Sequence, residues 1–271
     1  MLLDCFMFTN EYNLLEGRLE YLFDKVDKFI IIESNITHNG TPKKLNFLDN
    51  MERYSKYLHK IFYYPVNINP NDYDFTLDPD KLSVQKTGWW AVENYQRNWI
   101  ASALQFFDDE DDVLVSDLDE IPLKFAIDLA LTHLAPDNRF IGFKQDMFFY
   151  NFRHVQVNPC FGTVLAKNKT VKEMTPQWIR EHRWQHQIPF IVRGGYHLSF
   201  WFTPEMIQYK IINAPHQEDN TPKIREISNI IRNISMGIDI YERNNPLVEV
   251  DRNTIDPEFL SIFQKYEIIV D

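Results

Sequence analysis

The sequence predicts an α/β protein: a Rossmann-like, mostly parallel central sheet flanked by helices, joined to a mixed or antiparallel portion. Three observations carry this expectation. Short apolar runs alternate with segments of helical spacing through the first third of the chain, which is the pattern of a doubly wound sheet. One run, from Phe29 to Ile32, is apolar at every position, as a strand covered on both faces must be. Another, Val113 to Val115, leads straight into Ser116-Asp117-Leu118-Asp119-Glu120-Ile121-Pro122. That puts acids outside the carboxyl end of a strand, where open parallel sheets bind ligands.

In chain order, residues 2–8 read as a first strand. Leu14, Leu15, Leu19, Leu22 and Phe23 fall at helical spacing, so residues 13–23 read as a helix. The strand at 29–32 ends in Glu33, and Asn39-Gly40-Thr41-Pro42 then signals a turn. A helix is expected over 49–59 and a third strand over 61–66. Residues 67–82, rich in Asn, Asp and Pro, read as a loop. A long helix over 89–107 carries Arg97 among aromatic and polar residues. The strand at 113–116 is expected to run on extended, so that Asp117 and Asp119 share a face, with Pro122 ending its pairing.

A helix over 125–134 follows. Residues 140–152 read as a long aromatic strand, with 161–166 as its pairing partner. The segment 178–186 is dense in Trp, His and Arg. A strand over 193–202 opens with Gly194-Gly195. Thr203-Pro204-Glu205 then combines a cap, a proline at the first helical position and an acid, all helix-start signals. From Pro222 the tail is expected to be helical to about Ser235 and irregular beyond.

Composition narrows the function. Among 271 residues, 44% are hydrophobic and 15% aromatic, enough for a substantial core. The net charge of −11 argues against a nucleic-acid-binding surface, which needs a basic footprint. The only two cysteines, Cys5 and Cys160, sit in apolar stretches and read as buried thiols. With no signal peptide and no run long enough to span a membrane, a soluble cytoplasmic chain is expected.

The acidic stretch is the leading candidate for chemistry. Two carboxylates on one face need a cation or a proton between them; a divalent metal is the simplest compensation, and an all-oxygen set favours Mg²⁺ or Mn²⁺ with positions left for substrate phosphates. Asp117 and Asp119 are the expected ligands, with Glu120 and His197 as further candidates. Glu33, Arg97, Gly195, His197 and Trp201 are candidates for the donor side, and Tyr196 could stack on a sugar. A solvated acidic turn, a core histidine and core aromatics are the competing readings. For a general base the sequence offers Asp146, Glu205 and Asp219 without choosing among them. An Asp-x-Asp also serves phosphoesterases and nucleotidyltransferases, and a degenerate site would leave an inactive glycan-binding protein. Against these, the first strand carries Asp4 alone and lacks a Gly-rich phosphate loop, and the acid pair is intact.

Taken in order, several pieces resemble glycosyltransferase family 17, the family of β-1,4-mannosyl-glycoprotein 4-β-N-acetylglucosaminyltransferase. They are Phe29-Ile30-Ile31-Ile32-Glu33-Ser34-Asn35 with Thr37, Gly40 and Pro42; Gly88-Trp89 and Arg97; Asp117-Leu118-Asp119-Glu120-Ile121-Pro122; and Gly195-Tyr196-His197 with Ser199 and Phe202-Thr203-Pro204-Glu205. The resemblance covers about residues 1–220. It implies a GT-A-type nucleotide-sugar fold, a UDP-GlcNAc donor, Mn²⁺ or Mg²⁺, and an inverting reaction that makes a β-linkage. It also implies metal binding at Asp117 and Asp119. A single glycosyltransferase domain over 1–271 is then expected. Residues 1–122 would form the nucleotide-sugar half, 123–220 the acceptor-side half and 221–271 a tail. Without the Golgi anchor of the family's animal members, the acceptor is expected to be a polysaccharide, lipid-linked or other protein-linked glycan.

Overall fold

A computed structural model describes residues 1–76, 88–135, 138–183 and 188–270. The end of the expected 67–82 loop and residues 184–186 of the Trp/His/Arg-rich segment lie outside the described residues.

The first half is the expected doubly wound unit. β1 (Leu2–Met7), α1 (Tyr12–Leu22), β2 (Lys28–Ser34), α2 (Asn46–Asp49), β3 (Ile61–Val66), α3 (Gly88–Ala103) and β4 (Asp112–Val115) follow one another. β1 is the centre. It pairs in parallel with β2 on one side and β4 on the other, and β3 extends the sheet beyond β2. Strands 1 and 2 are buried almost throughout because both faces are covered. Leu15, Leu19 and Leu22 of α1 pack on one face with Phe6, Phe29 and Ile31. Val92, Ile100 and Ala103 of α3 pack on the other with Cys5, Ile30 and Val113. The expected helix at 49–59 is instead the four-residue α2 followed by 3-10 turns over Met51–Lys60.

The second half continues the same sheet with reversed strands. β5 (Glu120–Pro122) is followed by α4 (Lys124–His133), β6 (Phe140–Phe149), β7 (His154–Gln156), β8 (Cys160–Lys167), α5 (Asn168–Met174), α6 (Pro176–His182), β9 (Phe190–Ser199) and α7 (Pro204–Asn213). β8 runs antiparallel to β4, and β6 antiparallel to β8. β9 lies parallel to β6 and carries β5 on its outer side. Thr203 caps α7 by accepting the Met206 N–H, with Pro204 at the first helical position.

Two expectations are corrected here. Pro122 does not end pairing: it sits inside β5, opposite Gly195. The tail beyond Ser235 is not merely irregular. After α8 (Ile227–Met236) it adds β10 (Leu247–Glu249) to β7 and packs α9 (Pro257–Phe263) on α1. Phe259 of α9 stacks edge-on against Tyr21 and Tyr196. Both cysteines are buried and unbridged. Among the described residues, no helix is long and apolar enough to cross a membrane.

Candidate functional site

β4 stops at Val115, and the chain then turns instead of running on. The Glu120 N–H donates to the Asp117 carbonyl at 3.1 Å, and the Glu120 carboxylate accepts the Asp117 N–H at 2.9 Å. This closes a tight turn over residues 117–120. The extended geometry expected for the stretch is therefore corrected, and the two aspartates meet different partners.

Arg18 of α1 holds this turn from beneath. Its guanidinium is fully buried and grips both oxygens of Asp4 on β1, at 2.6 and 2.8 Å. It also donates to the Ser116 hydroxyl at 2.7 Å and to the carbonyls of Leu118 and Glu120 at 3.0 and 2.8 Å. The ring of Phe6 lies 4.7 Å from its guanidinium carbon. No sequence signal singled out Arg18. An arginine on an otherwise amphipathic helix is ordinarily solvated. The one hint was Asp4, an acid inside an apolar strand that needs a buried partner.

Above the turn lies a cavity of about 330 Å³. The ends of β1 and β2 supply Thr9, Asn10, Glu11, Thr37 and His38. The turn supplies Asp117, Leu118 and Asp119, and β9 supplies His197 and Ser199. Arg180 of α6 and Lys210 of α7 complete the polar wall, while Trp90, Phe200, His216 and Tyr241 form the aromatic part. Phe200 adopts φ +56°, a conformation that costs a bulky residue about 1–3 kcal/mol and clusters at functional sites.

Cations surround the acids. Asp117 is paired with Arg180 and lies 3.3 Å from Arg97, which also binds Glu93 at 2.5 Å. Burial pushes the Asp117 carboxyl up, and neighbouring Glu120 and Glu93 add to this against Arg180 and Arg97. Asp119 sits 3.3 Å from Lys210 and 3.5 Å from His197 Nε2. Burial disfavours its charge, but Lys210 and His197 outweigh that and hold the carboxyl well below the usual range. His197 is pulled the other way. Burial alone would lower its pKa, yet Asp119 and Cys160, whose Sγ lies 3.6 Å from Nδ1, raise it well above the ordinary value.

The remaining expected site residues fall in different places. Glu120 is held by Arg183 at 2.9 Å and Arg180 at 3.2 Å and does not line the cavity. Glu33 is also spent internally. It binds Lys43 at 2.7 Å, accepts the N–H groups of Asn46 and Phe47 at 2.6 and 3.0 Å, and accepts the Tyr63 hydroxyl at 2.9 Å. It anchors the β2–α2 connection and does not line the cavity. Arg97 reaches the site only through Asp117. Gly195 is small because a Cβ there would lie 2.3 Å from the Ile121 carbonyl oxygen. The close neighbour of this glycine is therefore β5 backbone and not a ligand. Trp201 is 1% exposed and packs edge-on against Phe152, and the Tyr196 hydroxyl accepts the Asp256 N–H at 2.9 Å. Both belong to the core.

The three candidate bases separate cleanly. Asp146 on β6 points opposite to cavity-lining Met147. Glu205 lies at the exposed start of α7, and backbone and Thr203 hydrogen bonds there lower its pKa. Asp219 sits in the His216–Asp219 segment, whose His216 lines the cavity. Burial, then Glu218, raises the pKa of Asp219. His216, Glu218 and Asp219 also form the one group among the described residues with three metal-type ligand atoms within 4.8 Å of one another. The acidic turn forms no such preassembled triad. Its donors, two carboxylates and one imidazole on a single cavity wall, nonetheless suit a hard divalent cation in kind.

A sequence model of glycosyltransferase family 17 matches residues 1–245. The β-1,4-mannosyl-glycoprotein 4-β-N-acetylglucosaminyltransferase of Homo sapiens is 25% identical over 235 residues, covering 76% of this chain and 42% of its own. The Mus musculus protein of the same name is 24% identical over the same length and is covered to 41%. The chain thus spans about two-fifths of the length of the curated relatives it matches. Among solved structures, mannosyltransferase PcManGT from Pyrobaculum calidifontis, in complex with GDP-Man and Mn²⁺, aligns over 98% of this chain and 69% of its own, with a TM-score of 0.44 and 12% identity. Glycosyltransferase GlyE of Streptococcus pneumoniae TIGR4 aligns over 70% of this chain and 45% of its own, with a TM-score of 0.34 and 14% identity.

Proposed function

The chain belongs to glycosyltransferase family 17, and from that premise we propose that it transfers GlcNAc from UDP-GlcNAc to a glycan hydroxyl, with inversion and formation of a β-linkage. The observation that carries the reading is the cavity above the acidic turn, where Asp117, Asp119 and His197 meet the ends of β1 and β2. Those strand ends are where a doubly wound sheet receives a nucleotide.

Asp117, Asp119 and His197 would hold Mn²⁺ or Mg²⁺. When bound, such an ion offsets the charge that builds on the departing nucleoside diphosphate. The chain's own residues do the rest. Thr9, Asn10, Thr37 and His38 border the nucleoside end, and Trp90, Phe200 and Tyr241 offer apolar faces for the sugar. Asp219 takes the proton of the acceptor hydroxyl. It lies three residues beyond cavity-lining His216, and burial has raised its basicity, which suits a general base.

Two expected results test this. Saturating UDP-GlcNAc with Mn²⁺ should raise the thermal midpoint by about 5 °C at roughly a hundred times Kd. Neither UDP-GlcNAc without metal nor GDP-mannose with metal should match it. An equal shift for GDP-mannose would reject the donor assignment. Separately, Asp219→Asn should lower kcat by at least about 10²-fold while leaving the donor-induced shift in place. Full turnover in that variant would move the base elsewhere.

A further inference from the structure

The cations around the acidic turn fall into two rows. Arg97 and Arg183 form the back row. They are 1% and 4% exposed and are locked by Glu93 and Glu120, and Arg183 also donates to the Gly162 carbonyl at 2.7 Å. Arg180 and Lys210 form the front row. Both line the cavity, with side chains 22% and 29% exposed. Each is on a different helix, and each holds one of the two aspartates: Arg180 on Asp117, Lys210 on Asp119. Lys210 is further steadied over the rings of Phe200 and Phe202, at 5.4 and 5.2 Å.

This arrangement leaves the turn electrically compensated before any ligand arrives. Four carboxylates, Glu93, Asp117, Asp119 and Glu120, face Arg97, Arg180, Arg183 and Lys210, with His197 beside them. A divalent cation entering alone would meet carboxylates already taken. It would also leave Arg180 and Lys210 without their counter-charges beside the incoming ion, where like charges repel. A diphosphate entering alone would meet cations already taken and carboxylates that repel it. Entering together, the two ligands satisfy every group: the carboxylates turn to the metal, and the freed guanidinium and ammonium turn to the phosphate oxygens.

Resting on the metal and nucleotide-sugar reading above, we infer that Arg180 and Lys210 are the anion-binding half of the site, exchanging Asp117 and Asp119 for the donor's diphosphate as the metal takes the carboxylates. Metal and diphosphate then bind cooperatively by construction. Each should raise the affinity for the other by the same factor, since coupling is reciprocal.

Calorimetric titration of the whole chain with Mn²⁺ alone, inorganic pyrophosphate alone, UDP alone and each anion with Mn²⁺ tests this. In the wild type, Mn²⁺ should tighten both anions about tenfold or more. In Lys210→Met and Arg180→Gln the two affinities should move in opposite directions. Mn²⁺ alone should bind about fivefold tighter, because its competitor is gone, and the anions with Mn²⁺ about tenfold weaker. Arg180→Lys, which keeps the charge, should restore most of the anion affinity and guards against misfolding of the glutamine variant. Loss of both affinities together, or no change in either, would overturn the exchange and leave these side chains as supports of the turn. Absence of Mn²⁺-dependent UDP and pyrophosphate binding in the wild type itself would instead overturn the underlying reading of the site, and the exchange with it.

Discussion

Arg18→Met is expected to cost about 3–5 kcal/mol of stability, the range for breaking a buried ion pair by removing one partner. Arg18 and Asp4 are both fully buried and contact each other through both carboxylate oxygens. Methionine fills much of the volume but leaves Asp4 charged, desolvated and unpaired. It also strips donors from the Ser116 hydroxyl and the carbonyls of Leu118 and Glu120. Urea unfolding measures the loss. The double variant Asp4→Asn/Arg18→Met should recover part of it, because the stranded charge is then gone. A loss under about 1 kcal/mol, as for an exposed pair, would show that Arg18 does not carry the turn.

Asp119→Ala is expected to keep the fold and lose metal-dependent transfer by about 10³–10⁴-fold, corresponding to several kcal/mol of charge stabilisation in the transition state. The fold survives because the stranded partner is not sealed in: the Lys210 side chain is 29% exposed and can reach water. The change should also appear in the titration of His197. In the wild type its raised pKa means that its pairing contributes stability at pH below the unfolded value of about 6.5, and that the contribution fades as pH rises through the folded value. Without Asp119, only Cys160 is left to oppose the burial that disfavours its charge, so His197 should titrate below the wild type in an imidazole NMR titration. Unchanged turnover with Mn²⁺, in a folded variant, would remove Asp119 from the metal site.

Much of the architecture is visible in local patterns. The apolar run at Phe29 to Ile32 became β2, covered on both faces by α1 and α3. Residues 140–152 and 161–166 became the antiparallel pair β6 and β8. Thr203-Pro204-Glu205 became the start of α7. These succeed because strand burial, helix spacing and capping are decided by neighbours within a few residues. The same locality explains the corrections. Trp201 and Tyr196 could equally have faced a sugar or the core, and only α9 and Phe152, distant in sequence, decided for the core. Glu33 ends a buried strand just as the acidic turn does, but a short helical segment supplied donors and closed it off.

By itself, then, the sequence determined an α/β sheet and a pair of acids at the end of β4, since those follow from hydrophobic period and strand direction. The tertiary structure alone decided what those acids do. Arg18 reaches the turn across 98 to 102 positions, Arg180 reaches Glu120 across 60 and Lys210 reaches Asp119 across 91. No local pattern marks an arginine or lysine for such a contact, because its alternative, solvation on a helix surface, looks the same in one dimension. The choice is made by desolvation. Once packing buries a carboxylate, the nearest cation the fold can deliver becomes its partner.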